Sequence, residues 1–536
     1  MKGKAIRKGV FIPAFSCVLI AGAVGLINNQ LLISFFKGAF ELAYQNLSWL
    51  YQWIVLTIVI LCVILTFSKV GNIRIGGPDA KPKYGFWSWF AMSLTGGIGA
   101  SIVSSSISQP ITFLQSIWGE LDGYGIEPGS SEAVLFALGR SFHEWSVFPY
   151  AFYGICSISI AYLCFNKKQP VSLSTLLVPL FGDKVKKRGI SSLIDAVNIL
   201  ALALALVGTL GTFIGLTSAC AKYVYNIQPT HILMLTVMGV TTILYLLSSL
   251  SGVEKGIKFF ANLNFRFYMV LTAIVLVLGG SAAFIFNTST SAIGYWLQNL
   301  PLWSLDTGTS GGSALLQWWT IYNWTFWMAF APVTGVFLAQ LTYGHTIRES
   351  LIVNWLMPSV FAIIWFSVFG GCAINWQASG FLDIASVINE NGTYAGIWAF
   401  IGKLPFAQIL IPITLFIMLI SFSTSADNSV SAISALCTQN SKIGDEAPSI
   451  LKILWGVAIG VLAYLLMAYA AGTKGNDGVR YMVVAIGSVL SIFIILMIAS
   501  TVKMFFVDKK TSQKQEQQII YVISYDTCDE PKGHHP

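Results

Sequence analysis

Charge is what this sequence has least of. Only 10% of its 536 residues are Asp, Glu, Lys or Arg, against about one in four in soluble domains, and that scarcity excludes an ordinary soluble enzyme. Histidine is rarer still. The five residues His143, His231, His345, His534 and His535 put no metal-spaced pair inside an apolar run, so a membrane-embedded enzyme lacks the constellation it would need. The eight cysteines, at positions 17, 62, 156, 164, 220, 372, 437 and 528, form no CxxC pair, which gives neither a metal cage nor a disulfide scaffold. A soluble domain is missing too. The longest connections between apolar runs, about 116–144, 288–314 and 377–406, are rich in Gly, Ser, Trp and Asn and have room only for short helices over the outer face.

What is present is hydrophobicity: 55% of the residues are apolar, in runs of the ~20 residues that cross a hydrocarbon core. Twelve spans are expected, at about 9–29, 48–67, 86–115, 145–166, 191–224, 231–250, 265–287, 315–342, 352–376, 407–436, 451–472 and 478–506. The fold class is therefore all-α, a polytopic membrane protein. The first span follows Lys2, Lys4, Arg7 and Lys8 as a signal peptide would, but it is long and no A-x-A site follows, so it reads as a retained helix. An even number of spans puts both termini on one side. With the N-terminus inside, 25 of the 31 Lys and Arg lie on inner segments, leaving Lys37, Arg140, Lys222, Lys403, Lys474 and Arg480 outside. The positive-inside bias thus predicts both termini in the cytoplasm, in a plasma (inner) membrane, with a polar cytoplasmic tail from Asp508 to Pro536. The net charge of +8 follows from this topology, and no nucleic-acid partner is needed to explain it.

Two spans are interrupted. Thr95 to Pro110 reads TGGIGASIVSSSISQP, and glycine-broken backbone at membrane depth is tolerated where freed N–H and C=O groups face protein, water, an ion or a substrate. Small-residue helix packing accounts for the same composition. The tenth span carries Ser421-Phe422-Ser423-Thr424-Ser425-Ala426-Asp427-Asn428-Ser429. Hydroxyls and freed carbonyls are hard oxygen donors suited to a small alkali cation, and the same hydroxyls equally serve their own helix backbone. Asp427 is too costly to face lipid.

Aromatic side chains recur at helical spacing. Trp145, Tyr150 and Tyr153 share a face of the fourth span, and Trp319, Phe326, Trp327 and Phe330 form a stripe on the eighth. Span-end aromatics ordinarily form the interfacial belt, which fits Trp318 but not Trp327 near mid-span. Electron-rich faces at mid-membrane suit a cation that donates no hydrogen bond, a quaternary ammonium, at ~0.5–2 kcal/mol per face. A packed aromatic core gives the same stripes.

Taken together, these residues resemble the betaine/choline/carnitine transporter family over nearly the whole chain. The most specific stretch is WTIYNWTFWMAFAP from Trp319 to Pro332, followed by FLAQLTYGHTIRE from Phe337 to Glu349; SLSGVEKGIK from Ser249, GGIG from Gly96 and TSAD from Thr424 also match. The resemblance implies two inverted five-helix repeats in a leucine-transporter-like fold, within segments 86–310 and 311–507. Two extra helices (1–85) precede them, the tail (508–536) follows, and a homotrimer is usual. Carried over by position, the substrate site falls on Trp145, Tyr150, Tyr153, Trp327 and Phe330 with backbone at Gly96, Gly97 and Gly99. Trp319 and Phe326 would line the route on the cytoplasmic side. A sodium ion would be held by Thr424 and Ser425 with carbonyls of Ser93 and Gly96.

The function implied is secondary active transport, by alternating access, of a quaternary-ammonium compatible solute used in osmoprotection. No enzyme activity and no cofactor are expected, with sodium as the coupling ion. A sodium-independent carnitine- or betaine-type antiporter is the rival, and a sensor or channel the alternative of another class. Several positions depart from the family's pattern. Tyr150, Phe326 and Phe330 stand where tryptophan is frequent, Asn323 replaces a tyrosine, Gln109 a glutamate, His345 an arginine and Thr95 a glycine. Proton-coupled choline carriers place an aspartate around Gly99, and none occurs here. Sodium-independent members carry an arginine at the place of Asn264, so Arg266 is expected to snorkel to the surface. Asp195 is expected to cap a helix.

Overall fold

The computed structural model describes residues 5–97, 101–250, 253–309, 311–470 and 476–508. Among these the chain is helical, with no strand beyond two isolated bridges, Ile6 with Thr438 and Arg74 with Thr346. Eleven helices are long and apolar enough to cross a membrane. The expected third span is described as the helices Phe86–Gly97 and Ser101–Gln115, and the glycine stretch between them, residues 98–100, lies outside the described residues.

Other boundaries differ from those expected. The second helix runs Asn29–Phe67, starting well before residue 48. Leu32, Phe36, Phe40 and Ala43 bury one stripe there while Lys37 and Glu41 pair across the exposed side at 3.9 Å, so amphipathicity continues the helix where hydropathy alone ends it. The seventh span does not reach residue 287. The helix Val253–Leu278 stops at Gly279-Gly280, with Gly280 at φ +65°, and a separate helix, Ala282–Ser304, follows. The supposed loop 116–144 contains the buried helix Ser131–Trp145, which passes through Ser146 (φ −111°, ψ −113°) into Val147–Ala161. In the 377–406 connection, Asp383 caps Ile384–Asn391 by accepting from Ser386 N–H at 3.1 Å. The next helix, Ala395–Lys403, turns inward, where Trp398 donates to the Leu216 carbonyl at 2.8 Å.

The centre of the molecule is the pair Val147–Ala161 and Ile321–Leu341, flanked by Arg188–Tyr225 and Asp477–Val502. Glycine permits the closest approaches. A Cβ on Gly335 would stand 2.7 Å from Cys156 Cβ, and one on Gly487 would overlap the Thr325 carbonyl. Lys8–Ile27 and His231–Leu250 lie at the periphery and leave most of their apolar side chains exposed, as a lipid-facing helix must.

Asp195 fulfils its expected capping role. It accepts from the Leu173 and Ser174 backbone N–H groups (2.8 and 3.2 Å) at the start of the short 3-10 helix Leu173–Leu177. It also pairs with Arg7 at 2.7 Å, tying the N-terminal segment to the bundle. Arg266 is exposed, in keeping with snorkelling, and Asn264 is buried, donating to Ser421 Oγ at 2.8 Å.

Candidate functional site

The aromatic residues singled out in the sequence fall into two groups. Tyr150, Tyr153 and Trp327 form one cluster, with ring centroids 5.2 Å (Tyr150–Trp327), 4.8 Å (Tyr153–Trp327) and 6.5 Å (Tyr150–Tyr153) apart and interplanar angles of 62–66°. All three are at most 2% exposed, so they face protein and not lipid. Phe330 is buried beside them and stacks at a tilt on Phe326, 4.8 Å away. Trp145 is set apart. Its ring lies against Phe366 at 5.6 Å and its Nε1 donates to Gln109 Oε1 at 2.7 Å.

A cavity of about 50 Å³ is walled by Ser101, Ser104, Gln109, Glu144, Trp145, Trp319, Asn323, Phe326, Tyr394 and Arg480 among others. The helix Ser101–Gln115 supplies one wall and the aromatic stripe running from Trp319 to Phe326 the other. Several serines of that helix bond back to its own backbone, Ser106 to Val103 O and Ser108 to Ser104 O at 3.0 and 2.9 Å, so the backbone-bonding use of these hydroxyls is realised there. The cavity lies at the end of Ile321–Leu341 remote from Gly344, which packs on Lys81 and Pro82 in the basic loops. Trp319 and Phe326, expected to line the substrate route, both line this cavity.

Polar residues that sequence reasoning missed organise this cavity. Glu144 is 1% exposed; its carboxylate accepts from Thr320 Oγ1 and Gln109 Nε2, both at 2.6 Å, and sits 3.6 Å from Arg140 Nε. Arg140, 0% exposed, donates to Thr320 Oγ1 at 2.9 Å and lies over the Trp303 ring at 5.4 Å. Asn323 links this network to the aromatic cluster, since its amide donates to the Glu144 backbone carbonyl and its oxygen accepts from Trp327 Nε1 at 3.1 Å. Arg480 is 2% exposed and stacks over Trp319 (4.4 Å) and Tyr322 (5.3 Å). The sequence reading put Arg140 and Arg480 among the outer charges because both lie near span ends; both are buried in the protein. Charges this scarce inside apolar segments were themselves the available signal.

The expected sodium ligands lie on neighbouring elements, because Phe86–Gly97 packs against Ala407–Leu436. Ser93 is buried and its hydroxyl donates to Asn354 Oδ1 at 2.7 Å; Thr424 Oγ1 donates to the Ile420 carbonyl at 2.8 Å, and Ser425 is buried one residue on. A hydroxyl whose proton is given to a carbonyl or amide oxygen still offers lone pairs to a cation. Gly96 and Gly97 end the helix Phe86–Gly97, and Gly99 lies outside the described residues. Asp427 faces the neighbouring helix, accepting from Ser248 Oγ at 2.8 Å.

Residues 9–510 match the betaine/carnitine/choline family transporters (BCCT). The chain belongs to this family. It is a multi-pass membrane transporter and not an enzyme. Among its BCCT relatives is the glycine betaine transporter OpuD of Bacillus subtilis, 30% identical over 92% of this chain and 93% of that one. The ectoine/hydroxyectoine transporter of Virgibacillus pantothenticus is 26% identical over 89% and 92%. A solved structure of a Na+-coupled sialic acid symporter overlays with a TM-score of 0.44 at 14% identity, covering 78% of this chain and 79% of that one.

For a BCCT protein, the departure at Gln109 now has a physical reason. Its amide donates to Glu144 and accepts from Trp145; a glutamate there would set two carboxylates against each other and lose the donor. The carboxylate of this wall is Glu144 on the helix Ser131–Trp145, and the Asn323 amide holds its backbone carbonyl.

Proposed function

We propose that the protein is a sodium-coupled carrier, working by alternating access in a plasma membrane, for a zwitterionic quaternary-ammonium solute of the glycine betaine type. The observation that carries this reading is the buried cluster of Tyr150, Tyr153 and Trp327, whose rings meet one another without an intervening carboxylate. An onium head is received by opening these faces, with Phe330 on the same helix as Trp327 and Trp145 reached from the cavity wall. N–H groups at Gly96, Gly97 and Gly99 take the solute's carboxylate at the broken helix end. Sodium is held by Thr424, Ser425 and carbonyls of Ser93 and Gly96. Both termini are cytoplasmic and the working unit is the homotrimer that the family resemblance implies.

A betaine has no net charge, so its accumulation must be driven by the ion. At ~100 mV one sodium supplies ~2.3 kcal/mol and a tenfold gradient about 1.4 kcal/mol more, together enough for several hundredfold accumulation. The full-length chain in vesicles should take up glycine betaine only with inward sodium, and Thr424→Ala should raise the sodium concentration needed. Undiminished exchange without sodium would replace symport by antiport.

A further inference from the structure

Resting on the betaine reading above, we infer that Arg480 forms an anion subsite on the cavity that receives the carboxylate of the incoming solute, making this carrier selective for carboxylate-bearing onium compounds over cations such as choline. Arg480 lines the cavity from the first turn of the helix Asp477–Val502. Its NH1 donates to the Trp318 carbonyl at 2.6 Å, its Nε is buried without a hydrogen-bond partner, and none of the ion pairs among the described residues involves it. A buried guanidinium short of an acceptor is costly to keep, and it faces the cavity.

The surroundings favour an anion there. Glu144, which lines the cavity, is engaged with Arg140, Thr320 and Gln109, and Glu120 with Trp319 Nε1 (3.1 Å) and the Trp118 N–H (2.9 Å). Asp477, in the same helical turn, and Glu120 offset part of the field of Arg480. Asn476, at the N-cap of the helix, lines the same cavity, and its side chain does not cap the helix's first N–H groups. The helix start therefore adds its own positive end to the guanidinium. Trp319 and Tyr322 both lie against the guanidinium, at 4.4 and 5.3 Å, and its planar fork is the shape that carboxylates match. Because its face is taken by Arg480 and its N–H by Glu120, Trp319 is not available to an onium head. At this entry subsite, which the solute meets before the ring cluster and the glycine N–H groups, its two ends are thus read separately, the anion at Arg480 and the onium on the aromatic side of the cavity around Trp145 and Phe326.

The test is competition against labelled glycine betaine uptake by the full-length chain in proteoliposomes, using unlabelled glycine betaine and its methyl ester, which keeps the trimethylammonium head and lacks the carboxylate. Saturable betaine uptake by the wild type establishes the underlying reading; if it is absent, that reading fails before the subsite is addressed. Given uptake, the ester should compete at least tenfold more weakly than betaine in the wild type. In Arg480→Gln the ratio should fall to within about threefold, chiefly through a raised betaine KM. Arg480→Met, which fills the slot between the rings, should show the same fall should Arg480→Gln not fold. Equal competition by ester and betaine in the wild type, or a ratio retained in the folded variant, would overturn the subsite.

Discussion

The buried pair Arg140–Glu144 gives the most decisive prediction. Both side chains are at most 1% exposed, and each is the other's ion-pair partner, at 3.6 Å. Replacing Glu144 by Gln keeps the shape and an acceptor for Thr320 but leaves the Arg140 charge uncompensated, with its Nε and NH1 already lacking hydrogen bonds. Removing one member of a buried pair costs about 3–5 kcal/mol, so Glu144→Gln should be strongly destabilised. Arg140→Met should also destabilise, since the Glu144 carboxylate then stays buried with only the Thr320 and Gln109 bonds. The double variant removes both charges and should recover much of the loss, because an apolar and amide replacement of a buried pair is often near neutral. A double-mutant cycle on thermal unfolding in detergent should therefore return a coupling of about 2 kcal/mol or more. Single variants as stable as the wild type, or effects that simply add, would show that the pair is not a coupled charge unit and would refute the reasoning.

Three further outcomes follow from the geometry. Trp327→Ala should weaken onium binding about 5–30-fold through the lost ring face, and Trp327→Phe less so because a ring remains against Tyr150 and Tyr153; binding of betaine by Trp327→Ala at wild-type affinity would remove the aromatic site. Gly487→Ala would drive a methyl into the Thr325 backbone. It should cost about 1–3 kcal/mol, read as a lower unfolding temperature together with slower uptake, and an unchanged protein would mean that these helices are not so close. His345 stacks on Trp89 at 3.8 Å, and burial holds its pKa below the ordinary value, against the pull of Glu349. The unfolded chain therefore binds this proton first as pH falls. The stabilising effect of the neutral ring is present above about pH 6.5 and is lost as acid takes the solution below it. Unfolding temperature should drop between about pH 7 and 5.5 in the wild type and less so in His345→Phe; equal slopes would assign the acid sensitivity elsewhere.

Sequence and structure divide the protein along physical lines. The helical, membrane-spanning class was fixed by the runs of apolar residues, since a bilayer admits few other solutions for backbone hydrogen bonds. The capping role of Asp195 was legible as a lone acid near a span start. The likeness of Trp319 to Pro332 to the family's tryptophan-rich stretch pointed to the transporter family, and periodicity placed Tyr150 and Tyr153 on one face of the fourth span and Trp327 on a stripe of the eighth. Only the tertiary structure decided that these three rings meet while Trp145 stands off against Phe366 and Gln109, because a helical stripe fixes a direction and not a neighbour. Only the structure showed that Arg140 and Arg480, which hydropathy assigns to span ends outside, are buried charges at the cavity. Hydropathy averages over a window, whereas the burial of one guanidinium depends on which carboxylate, ring or carbonyl another helix brings to it.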